Sequence, residues 1–129
     1  MAKHTLTIVY ASPGDTTSVQ MEQEHDYNLQ SDVPVAGAAV DAEVDVGIIV
    51  AQAKSILLLA DQNMTLKTNS SGAPTETVTL AANKPRVWQT GGPFAAIFAS
   101  NVTKLFVTNT SSPQTAGTLK VRVLQDPTP

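Results

Sequence analysis

VDVGIIVAQAKSILLLA, residues Val44 to Ala60, is the stretch whose reading decides the fold class. In its first half Val44, Val46, Ile48 and Val50 alternate with Asp45, Gly47 and Ile49. That period of two is the signature of a half-buried strand. Its second half, SILLLA (Ser55–Ala60), is unbroken and apolar, as in a strand covered on both faces. The alternative is a helix over Gly47–Ala60. Gln52 and Lys54 interrupt the apolar tract, and it is too short for a membrane helix.

The same alternation spreads outward. KHTLTIVYAS (Lys3–Ser12) sets Leu6, Ile8 and Tyr10 on one side, and SPGD (Ser12–Asp15) is a turn. VQMEQEHDYNL (Val19–Leu29) puts Val19, Met21, His25, Tyr27 and Leu29 on odd positions and its carboxylates on even ones. Apolar residues three and four apart, which a helix needs, are missing there. Further strands are expected at Met64–Asn69, Thr75–Ala82, Lys84–Thr90, Thr103–Asn109 and Gly117–Asp126, the last two as a hairpin around TSSPQTA. SDVPVAGAAVDAEVD (Ser31–Asp45), with Pro34 and Gly37, reads as a connection, with an extended arm or loop over residues 31–43.

The expected fold class is therefore all-β: a single-domain β-sandwich or jelly roll of about eight short antiparallel strands over residues 1–129. The expected core comprises Ile8, Tyr27, Ile48, Leu58, Leu80, Trp88, Phe106, Val121 and Val123.

Composition narrows the function. The net charge is −3 and the 8 Lys and Arg residues are scattered, so no nucleic-acid surface is expected. The chain has no cysteine, which excludes disulfides and Cys-ligated metal sites. MAKHTLTIVYASPGD holds no apolar region of signal-peptide length, so a soluble protein made in a cytoplasm is expected. Asn63, Asn69, Asn101 and Asn109 match Asn-X-Ser/Thr, which a Thr/Ser-rich β protein produces by composition.

The acidic cluster Glu22, Glu24 and Asp26 reads either as a cation site or as the wet face of a strand. Carboxylates two apart on a strand stand roughly 6–7 Å apart, so a cation would need help from a neighbouring strand. The solvated face is the expectation, with His25 on the opposite side as a half-buried strand residue. There is no phosphate loop, nucleophile elbow or H-x-x-x-H pair. No catalytic, cofactor-binding or metal residue is assigned, and no enzyme activity is expected.

Four phrases carry a resemblance: LKTNSS, VTLAANKPRVW, VTKLFVTN and GTLKVRVL. With them the chain from about residue 54 to residue 126 resembles small β-sandwich structural proteins of tailed-phage virions. The resemblance implies a multicopy, non-enzymatic head decoration (cement) protein on the outside of an assembled phage head, produced in a bacterial host. It implies two partners, the major capsid protein and the chain itself as a dimer or trimer, with no nucleic acid, membrane or cofactor. Alternatives are a tail or head–tail connector component, or a carbohydrate- or receptor-binding module. The Ala/Val-rich connection supplies the expected contact residues Val33, Pro34, Val35, Ala36 and Val40.

Overall fold

Alternation and turn chemistry divide the described residues into ten strands and one 3-10 turn. The computed structural model describes residues 2–110 and 115–126. The strands are β1 (Ala2–Ser12), β2 (Asp15–His25), β3 (Tyr27–Val35), β4 (Ala42–Ile48), β5 (Ala53–Ala60), β6 (Met64–Thr68), β7 (Thr77–Leu80), β8 (Arg86–Gln89), β9 (Val102–Asn109) and β10 (Gly117–Gln125). The stretch Val44–Ala60 resolves into β4, the 3-10 turn Val50–Gln52 and β5, so the helical alternative fails.

Strands β3 to β10 form two four-stranded sheets, β3-β10-β5-β8 and β4-β9-β6-β7. Their pairings are nested: β6 with β7, β5 with β8, β4 with β9, β3 with β10. This is one long antiparallel ribbon rolled up, and the contacts β10–β5 and β9–β6 close the roll. The result is a jelly roll, the finer of the two architectures expected. β9 and β10 fall in different sheets, so they are not the hairpin the sequence suggested. Part of their connection, residues 111–114, lies outside the described residues.

The core lies between the two sheets. Leu58, Leu119, Val121 and Val123 come from one, and Ile48, Leu66, Leu80, Leu105 and Val107 from the other. All are at most 1 % exposed, and each fully buried aliphatic side chain contributes about 1.5–3 kcal/mol of transfer free energy. Expected core residues Ile48, Leu58, Leu80, Val121 and Val123 are there. Trp88 is half-buried on the inner face of β8, in register with Ile56 and packed against the core edge.

Three expectations about the core need correction. Ile8 is half-buried on β1, outside the sandwich. Tyr27 is 49 % exposed, because it starts β3 at the open end of the roll. Phe106 lies between the buried Leu105 and Val107, so its parity on β9 turns it outward and it is only half-buried.

The expected arm over residues 31–43 is also corrected. Residues up to Val35 belong to β3, paired in register with β10, and β4 starts at Ala42. The crossover between them is pinned at several points. Ala39 N donates to Ala36 O, Asn109 N donates to Ala39 O, and Asp41 N donates to Thr108 Oγ1. Asp41 also pairs with Lys67 at 3.4 Å. Val35 is 2 % exposed and Val33 packs on the core, so neither is a free contact residue. Pro34 and Ala36 are exposed and Val40 is 73 % exposed.

Candidate functional site

β1 and β2 stand apart from the roll as a two-stranded ribbon, paired from Ala2↔His25 to Ser12↔Asp15. Pro13 and Gly14 close it; Gly14 takes φ 81°, which a type II turn after proline requires. Both strands span 11 residues, longer than any strand of the roll. At about 3.3 Å per residue the ribbon reaches roughly 35 Å.

Its base lies on the outer face of the sheet β3-β10-β5-β8. His4 Nδ1 lies 3.1 Å from Ser55 Oγ and His4 Nε2 lies 2.8 Å from Asn28 Oδ1. Gln89 Nε2 donates to the His4 carbonyl at 3.3 Å. His25 Nδ1 lies 3.6 Å from Asp126 Oδ2. This cover explains SILLLA. Ile56, Leu58 and Ala60 face the core, while Leu57 points out and lines a small recess with His4 and Leu6.

Cross-strand partners share a face. One face of the ribbon carries the pairs His4/Gln23, Leu6/Met21, Ile8/Val19 and Tyr10/Thr17. At the base this row is half-buried, but from Val9 to Gln20 every residue is exposed. On this face Tyr10 is 72 % and Val19 53 % exposed, and on the other face Val9 is 60 % exposed. The apolar row thus runs off the sheet into solvent, and the outer half of the ribbon is an arm with both faces wet. Beside it β1 and β8 form an open groove of about 460 Å³, lined by Leu6, Ile8, Pro85, Arg86, Val87 and Phe94 among others.

The acidic residues sit on the ribbon's other face. Glu22 and Glu24 are exposed, and Glu22 Oε2 lies 3.7 Å from Lys3 Nζ. Asp26 occupies the bend between β2 and β3. No group of three or more His, Asp or Glu side chains able to hold a metal ion occurs among the described residues. Apart from Phe106, the outer face of the second sheet carries charged pairs. Lys104 pairs with Glu43 and stands 4.0 Å from Asp45; the Glu43 hydrogen bond and charge hold its ammonium pKa above the ordinary range.

Comparison with protein-family models, with curated proteins and with solved structures finds no match. No helix among the described residues is long and apolar enough to cross a membrane.

The four Asn-X-Ser/Thr asparagines have a local use. Asn63 Oδ1 accepts from Ala82 N, Asn69 Oδ1 from Thr103 N, and Asn101 Oδ1 from Val50 N, at 2.8–2.9 Å. Asn109 is buried and donates to Thr115 O at 3.2 Å. Each ties the end of a strand to a loop or to another strand. Sequence reading missed this role, and it missed the ribbon as an arm; the lengths of the two alternating runs around SPGD were the available signal.

Proposed function

We propose that the protein is a non-enzymatic virion component, a decoration (cement) protein that binds the outside of an assembled phage head and stabilises it. The observation that carries this reading is the ribbon: the jelly roll holds an apolar row out in solvent, the kind of surface another macromolecule covers. The resemblance of residues 54–126 to small virion β-sandwiches supports a phage head as the assembly.

The physics of the role is mass action. A protein that binds the assembled shell and not its free subunits shifts the equilibrium toward the shell. Single contacts can be weak when many copies engage one lattice. An exposed ribbon edge offers unpaired backbone groups to a partner strand, a mode of attachment that needs no pocket.

The test is particle survival. Heads with the protein bound should rupture at a higher temperature than bare heads, and electron microscopy should place many copies on the outer surface. If both particles rupture at the same temperature, the cement reading fails. Few copies at one vertex or on the tail would then favour a connector or tail part.

A further inference from the structure

We propose that the arm of one copy, residues Val9 to Gln20, lies in the β1–β8 groove of a second copy, and that this exchange closes a homo-oligomer. The contact stands apart from the virion reading, because it rests on the surface of this chain alone.

Three observations carry it. First, the arm is unstable as it stands. A two-stranded ribbon alone in water is marginal at best, yet this one leaves Tyr10 72 % and Val19 53 % exposed. Second, the groove offers matching apolar surface. Pro85, Val87 and Phe94 line it, and Phe94 is 45 % exposed. Tyr10 and Val19 share one face of the ribbon, so a single placement sets both against that wall.

Third, the charges are complementary. The arm Val9–Gln20 carries the carboxylate of Asp15 and no Lys or Arg. Across the groove, the segment from Ala81 to Asn101 carries Lys84 and Arg86 and no carboxylate. Neither Lys84 nor Arg86 has an ion-pair partner among the described residues. The carboxylate at the arm's tip therefore meets a basic groove rim, which orients the arm in the groove. Since arm and groove adjoin on one molecule, each copy can give its arm and receive the other's, an arrangement that closes.

Sedimentation of the purified full chain tests this. The wild type is expected as a closed oligomer. The double variant Tyr10→Asp, Val19→Asp and the single variant Phe94→Asp should each sediment as monomers. All three positions are exposed, so the melting temperature of the roll should stay within a few degrees of wild type, which separates lost association from lost folding. Mixing the two variants should recover a mixed oligomer, weaker than wild type, because an intact arm still meets an intact groove. A wild type that is monomeric at every concentration overturns the proposal and leaves the groove to another protein's segment. So do variants that keep the wild-type oligomer, or a mixture that stays monomeric, which would mean that arm meets arm.

Discussion

His4 stands over Leu124. Its imidazole bridges Asn28 on β3 and Ser55 on β5, the two residues in register with Leu124 on either side of β10. Leu124 is on the sheet face turned away from the core, yet it is 0 % exposed. The ribbon base therefore acts as a lid on a second, smaller apolar layer, and His4 is its latch.

His4→Ala should loosen that lid without dissolving the roll. Two hydrogen bonds of roughly 0.5–1.5 kcal/mol each are lost. Amide exchange should quicken at Leu6, Ile8 and Met21, while Leu58 and Val121 keep their protection. Equal acceleration in ribbon and roll would mean that the two unfold as one unit.

Legibility followed the range of the interaction. The period-two pattern is local, so it found nearly every strand and chose sheet over helix between Val44 and Ala60. Pairing is not local. FVTN and GTLKV look like two arms of a hairpin, but β9 and β10 join different sheets, because β9 pairs with β4 and β6 and β10 with β3 and β5. Alternation also names a face without saying what covers it. Leu6, Ile8 and Tyr10 form one unchanged row, and burial falls along it only because the sheet beneath ends. Phe106 follows parity rather than size: Leu105 and Val107 hold the inner face of β9, so the aromatic ring between them turns outward.

Asn69 should be the most sensitive of the three asparagines outside the strands, Asn63, Asn69 and Asn101. Its Oδ1 accepts from Thr103 N and Oγ1, its Nδ2 donates to the Asn101 carbonyl, and its φ is 68°. Asn69→Ala removes the bonds and also forces a Cβ-bearing residue without a local polar group into the left-handed region, for about 2–4 kcal/mol in all. Asn69→Gly removes the bonds but tolerates the φ, so it should cost about 1 kcal/mol less. Urea unfolding of the two variants measures the difference; equal losses would show that backbone strain contributes nothing.

Burial predicts a sharp contrast between residues that look alike in sequence. Leu58→Ala should cost about 2–5 kcal/mol, because Leu58 is fully buried between the sheets. Val35→Ala, on a side chain 2 % exposed, should cost about 2 kcal/mol, and deleting Val35–Val40 should unfold the roll. Phe106→Ala and Val40→Asp should each stay within about 1 kcal/mol, since one side chain faces outward and the other is mostly in solvent. Thermal melts of the four point variants and the deletion check the ordering.

The acidic ribbon face decides between a cation site and a solvated strand. Glu22 already meets Lys3 across the ribbon and accepts from Gln20 Nε2 at 2.7 Å, while Glu24 projects into water. An exposed pair of this kind is worth about 0–1 kcal/mol and is screened by salt. Glu22→Gln with Glu24→Gln should therefore leave the melting temperature almost unchanged. Calcium should not raise it in either protein, because a hard cation of that size takes six to eight oxygens and this face offers two separated carboxylates. A calcium-dependent rise in the wild type that the double variant abolishes would instead make the ribbon a cation-bridged contact.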